Sequence, residues 1–404
     1  MNLDKFKKEE LFDIGGILGD DFPMAMKKSQ MVKHLGDYIR TNPERWLTHL
    51  MERDINLLRE LVRVGPGRVQ YVERADYLSI VEVSGIVESD NSADNYSRIW
   101  IDREMYDIVS PVIDKIFRRC EKNSQYRLER MGLGILNVYG IMPTLSFTNL
   151  LADWYDTCRF PDYEALRWFY ENSPLMKMGR MTDIDGTDCI CSPCVPDPDA
   201  LLEVRKNSGI SVFHKVPFKK YEQAGNGAPY FTVWMDSKYG KALHEVYSKL
   251  GYTGLELVRA EYDTWIESQF TDVSNPSLFN AIYAAPDADK VPDDVWEQYC
   301  MTVCDYADNV PKWSLCGKTA AATGVFLCNR DAWKETQEED PMQDIPESED
   351  YPRWTMPEPT VSEDYAALAS LFPRGLVVPH VAPDDTCPCG SGLKYKNCHG
   401  KYLS

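Results

Sequence analysis

Four residues near the end of the chain can do chemistry together: Cys387, Cys389, Cys398 and His399, in the stretch CPCGSGLKYKNCHG. Their spacing, C-x-C-x8-C-H, offers three thiolates and one imidazole, the donor set that closes a tetrahedron around structural zinc. Gly390, Ser391 and Gly392 let the backbone turn tightly around an ion, because glycine tolerates positive φ. Lys394 and Lys396 offset part of the negative charge that three thiolates leave on one divalent cation. So few apolar side chains follow Asp385 that this segment cannot fold on a core, and metal binding must supply its folding energy. The expectation is one structural Zn2+ held by these four residues.

Elsewhere the candidates are looser. Cys189, Cys191 and Cys194, in DCICSPCVPDPD, could place three sulfurs on a second metal, completed by His214, Cys158, Cys300, Cys304, Cys316 or Cys328. The other readings are a redox-active pair and, foremost, buried or surface thiols without a function. Cys300 and Cys304 stand four apart on an expected helix and so share a face, a pattern of core packing. Gly317-Lys318-Thr319 resembles the end of a phosphate-binding loop, but Lys312 stands where the first glycine of that motif belongs. There is no G-x-S-x-G, no H-E-x-x-H and no complete dinucleotide fingerprint. His244-Glu245 reads as a helix surface pair, and of the six histidines only His399 sits in recognisable site chemistry. No residue is assigned to catalysis, and the expectation is a protein that is not an enzyme.

The stretch CPCGSGLKYKNCHG resembles the SEC-C motif, the zinc-binding tail of the bacterial preprotein translocase motor SecA that is also appended to many other bacterial proteins. All four ligand positions and the Gly-Ser-Gly turn match. The resemblance implies a docking peptide, which in the translocase serves the chaperone SecB and the ribosome. It therefore implies a protein or ribosomal partner here.

These candidates need elements to carry them. Between Pro23 and Val64 apolar residues recur at helical spacing: Met31, Leu35 and Ile39, then Trp46, Leu47 and Leu50, then Ile55, Leu58 and Leu61. Three short helices fit, with Asn42-Pro43 opening the second and Gly65-Pro66-Gly67 ending the third. YLSIVEVSGIVESD and YSRIWID then read as strands around the polar turn NSADN, before REMYDIVSPVIDKIFRRC returns to helix. Helices followed by a hairpin suggest a winged-helix-like unit. The helical run from Met26 to Val62 also resembles the small modules at the front of transcription termination factor Rho and in SAP-type domains, which implies nucleic-acid contact by Lys27, Lys28, Lys33, Arg40, Arg45 and Arg53. LGILNVYGIMPTLSFTNLLADWYD resembles the start of a second winged unit. Farther on, KYGKALHEVYSKL, NPSLFNAIYA and DDVWEQYCMTVCDYA read as helices and GNGAPYFTVWMD as a short strand. The expected fold is mainly α with small β-hairpins (α+β), with tandem winged-helix-like helical units, a helical middle region and a C-terminal zinc knuckle. The expected divisions are 1–115, helical and winged-helix-like; 116–240, a second such region; 241–335, helical; 336–383, an acidic Pro-rich linker with one short helix at EDYAALASLFPRG; and 384–404, the metal motif.

Charge narrows the partners. The 404 residues carry 44 Lys+Arg against 63 Asp+Glu, a net of −19, which disfavours broad capture of nucleic acid. Residues 1–130 are nearly neutral, with 21 basic against 23 acidic side chains, so any nucleic-acid face belongs there. Residues 331–365 hold 12 acids against Lys334 and Arg353, with Pro341, Pro346, Pro352, Pro357 and Pro359 among them, the composition of an extended tether. No apolar run is long enough to span a membrane, and the start of the chain lacks a secretion signal, so a cytoplasmic protein with most of its 12 cysteines reduced is expected. Two roles remain: a non-enzymatic zinc-binding adaptor that recruits a protein or ribosome through its tail, or a nucleic-acid-associated regulator using the amino-terminal units.

Overall fold

The helical spacing between Pro23 and Val64 is realised as α2 (Lys28–Thr41), α3 (Pro43–Trp46), one 3-10 turn (Leu47–His49) and α4 (Glu52–Val64), preceded by α1 (Lys8–Leu18). Pro43 fills the first turn of α3, where its missing N–H costs nothing, and Gly65 ends α4 at a φ of 102°. Met31, Leu35 and Ile39 line the buried side of α2, and Ile55, Leu58 and Leu61 that of α4. The structure is a computed structural model that describes residues 3–73, 81, 84–90, 96–160, 163–183, 185–225, 232–270 and 292–324.

After α4 the chain forms β1 (Gln70–Glu73), β2 (Glu88–Asp90) and β3 (Tyr96–Trp100), an antiparallel sheet of order β1-β3-β2 in which Ile99 stands between Gln70 and Ser89. Of the expected hairpin, YSRIWID supplies β3 but YLSIVEVSGIVESD is corrected in its described part: only Glu88–Asp90 is strand, while Val81 is helical and residues 84–87 turn or bend, a β-rich composition overridden by its surroundings; β1 adds a strand that the alternation did not mark. α5 (Arg103–Val109) and α6 (Ile113–Lys122) replace one expected helix by two, divided at Ser110-Pro111, where proline cannot continue the hydrogen-bond ladder. One apolar core runs from Leu3 through Ile116 and Cys120 to Tyr126, the second residue of α7 (Gln125–Tyr139). The expected break after residue 115 therefore falls inside α6.

Gly140, at a φ of 71°, turns the chain from α7 into β4 (Ile141–Pro143) and α8 (Thr144–Thr157). α9 (Glu164–Asn172) and α10 (Pro174–Met178) lead to β5 (Arg180–Thr182) and β6 (Asp188–Cys191), and the second antiparallel sheet has the order β4-β6-β5. After α11 (Pro198–Ser208), helix α12 (Phe218–Gly225) lies against α7 at a crossing made of two glycines. A β-carbon on Gly134 would stand 1.8 Å from the Tyr221 carbonyl oxygen, and one on Gly225 would stand 1.7 Å from that of Arg130. Asn137 closes the crossing by donating to the Ala224 carbonyl at 3.0 Å.

The chain divides into two compact units: Met1–Pro198 with Val216–Val233, and Asp199–Lys215 with the described residues from Trp234 onward. The second unit contains α14 (Lys238–Lys249), α15 (Gly254–Gln269), α16 (Asp293–Asn309) and α17 (Ala320–Thr323). Its core holds Trp265, Trp313, Tyr299 and Tyr306, with the Tyr247 hydroxyl 2.6 Å from the Thr264 hydroxyl. The expected break after 240 falls inside α14. GNGAPYFTVWMD is corrected in its described part, since Thr232–Met235 forms the short helix α13 despite its β-rich composition, a preference that surroundings readily override.

The described residues are thus mostly helical with two small antiparallel sheets, an α+β chain. Among them no helix is long and apolar enough to cross a membrane. Cys120, Cys158, Cys189, Cys191, Cys194, Cys300 and Cys316 are not disulfide-bonded, whereas Cys304 is, in a chain where reduced or metal-bound cysteines are expected over disulfides. NPSLFNAIYA, the acidic tether with its EDYAALASLFPRG helix and the metal motif lie outside the described residues.

Candidate functional site

Cys387, Cys389, Cys398 and His399 lie outside the described residues, so their fitness for zinc rests on donor chemistry. Three thiolates and an imidazole suit a borderline-soft d10 cation, and four ligands fill its tetrahedron. Among the described residues no group of three or more His, Cys, Asp and Glu is placed to hold a metal.

The second cysteine cluster sits at the end of β6. Cys189 and Cys191 are buried, at 2% and 9% exposure, and Cys194 is half-buried in the turn that follows. The Cys189 sulfur lies 3.9 Å from Asp183 Oδ2. Among the proposed fourth ligands, His214 donates its backbone N–H to the Cys316 carbonyl at 2.9 Å within the second unit.

At least three of the six basic side chains considered for nucleic acid have intramolecular contacts. Lys28 Nζ donates to the Asp4 carbonyl at 2.8 Å, and Arg40 pairs with Glu104 at 2.6 Å and Asp37 at 3.7 Å. The Arg45 guanidinium lies over the Tyr38 ring at 5.9 Å. Lys33 is exposed.

The segment from Lys312 to Thr319 forms a closed loop. Lys312 N donates to the Lys318 carbonyl, the Lys312 carbonyl accepts from Leu315 and Gly317, Cys316 N donates to Trp313 O, and Lys318 N to Leu315 O. A phosphate-binding loop presents its amides outward to an anion. Here those of Lys312, Leu315, Cys316, Gly317 and Lys318 bond within the loop and those of Trp313 and Ser314 to Gln269, which agrees with the missing first glycine. Arg205 donates to the Trp313 carbonyl at 2.7 Å, and Gln269 accepts from Trp313 N at 3.0 Å, fixing the loop on α11 and α15.

Three buried ionisable sites escaped the sequence reading. Lys312 is fully buried, its Nζ 3.0 Å from the Ser268 carbonyl, and burial pushes its ammonium down to about 7 against the opposing pull of Asp308. Glu129 accepts from the backbone N–H of Glu52 with both carboxylate oxygens, at 3.0 and 3.1 Å, and so caps α4 from another helix; burial holds its carboxyl well above the usual range. Glu261 on α15 meets His244 Nδ1 on α14 at 2.6 Å; burial raises its carboxyl and the imidazole opposes that shift. The pairing of His244 is therefore with Glu261 and not with its neighbour Glu245. The one available signal was the four-residue interval from Asp308 to Lys312 in an apolar setting.

Comparison with known proteins bears on the tail. The family model described as the SEC-C motif matches residues 385–401. Similar curated proteins include the protein translocase subunit SecA of a Polaromonas species, 52% identical over 44 residues, or 11% of this chain and 5% of that protein. The SecA subunit of Burkholderia ambifaria is 48% identical over 42 residues (10% and 4%), and that of Burkholderia thailandensis is 57% identical over 35 (9% and 4%). The chain spans about a twentieth of the length of these relatives. No solved structure matches. Residues 385–401 therefore carry a SEC-C motif, and that motif includes Cys387, Cys389, Cys398 and His399.

Proposed function

We propose that this protein is a zinc-binding adaptor without catalytic activity of its own, whose SEC-C tail recruits a protein or ribosomal partner to the α+β body. The observation that carries the reading is the complete ligand set Cys387, Cys389, Cys398 and His399 inside the matched motif. Metal-driven folding would give the tail a defined surface despite its lack of a core. The thiolates hold zinc only while reduced, which suits a cytoplasmic setting. The loop at 312–319, whose amides from Lys312 to Lys318 bond within the protein, supports it further, and the contacts of Lys28, Arg40 and Arg45 engage part of the basic set on which nucleic-acid binding would draw.

The test is co-purification from a bacterial extract and co-sedimentation with purified ribosomes, comparing full-length protein, Cys398→Ser and a chain ending at Asp385, each with and without nuclease. Recovery that disappears in both altered proteins is expected. Nuclease-sensitive recovery that survives loss of the tail would overturn the adaptor and favour the regulator built on winged-helix-like and SAP-like amino-terminal units.

A further inference from the structure

We propose that Cys191 and Cys194 are a redox-responsive dithiol, closed to an intramolecular disulfide by a low-molecular-weight disulfide such as oxidised glutathione. Two residues separate them, with Cys191 at the end of β6 and Cys194 in the turn that follows it directly. Cys191 ends β6, with its backbone N–H on the Gly179 carbonyl at 2.8 Å, and Ser192 N–H is on the Gly140 carbonyl at 2.7 Å. Val195 N–H then closes on the Ser192 carbonyl at 3.1 Å, with Pro193 fixing the first corner. Ser192 holds both residues: the Cys191 sulfur is 3.3 Å from its carbonyl oxygen, and the backbone N–H of Cys194 donates to its hydroxyl at 3.1 Å. That hydroxyl donates in turn to Asn137 Oδ1 at 2.8 Å, which anchors the turn to the end of α7. The backbone around the turn is held from three sides, so the ordering left for ring closure is mainly that of the two cysteine side chains.

Exposure sets the order of events. Cys194, the more accessible of the two, attacks one sulfur of oxidised glutathione as its thiolate, forming a mixed disulfide and releasing one glutathione thiolate. The Cys191 thiolate then attacks the Cys194 sulfur, which forms the intramolecular bond and expels the second glutathione thiolate. The two protons lost by the cysteines end on the two glutathione thiols; the protein is oxidised by two electrons and one glutathione disulfide is reduced. Cys189, at 2% exposure and beside Asp183, stays out of the exchange.

The tail thiols could also react, so the readout must be local. Full-length protein is incubated with reduced or oxidised glutathione, capped with N-ethylmaleimide under denaturing conditions, and digested with trypsin; the peptide Met181–Arg205 is then read by mass spectrometry. Three maleimides are expected after reduced glutathione and one, on Cys189, after oxidised glutathione, with dithiothreitol restoring all three. Cys194→Ser should leave Cys191 and Cys189 without an intramolecular bond under either condition. Three maleimides after oxidation, or a disulfide that maps to Cys189, would overturn the assignment. So would about one zinc per chain persisting in Cys398→Ser while all three thiols resist capping of the native protein, which would make the cluster a metal site.

Discussion

His49 packs its ring against Trp168, and a β-carbon on Gly19 would stand 2.5 Å from it. Burial, with Lys177 adding to it, pushes the imidazole from 6.5 down to about 4. The unfolded chain therefore binds a proton at a higher pH than the fold does. The associated stability is full above pH 6.5 and is lost as pH falls toward 4, about 3 kcal/mol at about 1.4 kcal/mol per pKa unit. Urea unfolding at pH 7 and pH 4.5 should show His49→Gln losing less stability between the two than the wild type; equal losses would contradict the assignment. At the tail, Cys398→Ser should lower zinc content by about one ion per chain while circular dichroism of the body stays the same, because the motif folds on its metal. Unchanged zinc would mean the ligand set is wrong. The candidate ligands of the tail stand out in the sequence because a metal demands particular residue types at short intervals, whereas Lys312, Glu129 and Glu261 are ordinary charged residues there. What makes them unusual is burial by segments far away in the chain, which no local pattern records.

Helices α7 and α12 touch backbone to backbone, and the glycines at their crossing make that possible. Gly134→Ala should destabilise the first unit by about 3 kcal/mol, because the new methyl meets a carbonyl that cannot swing aside. Gly16→Ala on α1 is the counterpart: nothing lies within 4 Å of its added carbon, so helix propensity alone acts and about 0.5–1 kcal/mol of stabilisation is expected. Opposite shifts of the thermal midpoint would bear this out; two losses would show that propensity is not what limits α1. The helices themselves were readable from their apolar spacing, as α2, α4, α14 and α16 show, since a period of 3.6 is a property of neighbours in sequence. The crossing was not, because GLGIL reads as a slightly weakened helix until α12 arrives to use its smoothness. β1 was missed because a four-residue strand defined by its partner β3 carries too little alternation to stand out.

In the second unit, burial of Lys312 lowers its pKa from 10.5 to about 7, so between these values the unfolded chain holds the extra proton. Stability of that unit should rise as pH climbs from 7 toward 10, the same sign as the dependence of His49 but in an alkaline window. Urea unfolding followed by the fluorescence of Trp265 and Trp313 should show the rise in wild type and its loss in Lys312→Met; the same slope in both would place the effect elsewhere. How the chain is shared between the units could not be read from composition. Periodicity locates elements, whereas the excursion Asp199–Lys215 into the second unit and the return Val216–Val233 to the first depend on which faces meet. That return has a consequence in time. A nascent chain emerges from its amino end, and α7 is complete long before α12 exists. At about 5–20 residues per second, the roughly ninety residues from Gly134 to Gly225 take about 5–20 s to make. Through that interval the glycine seam of α7 lacks its mate, and the first unit can close only after a length of the second has already been synthesised.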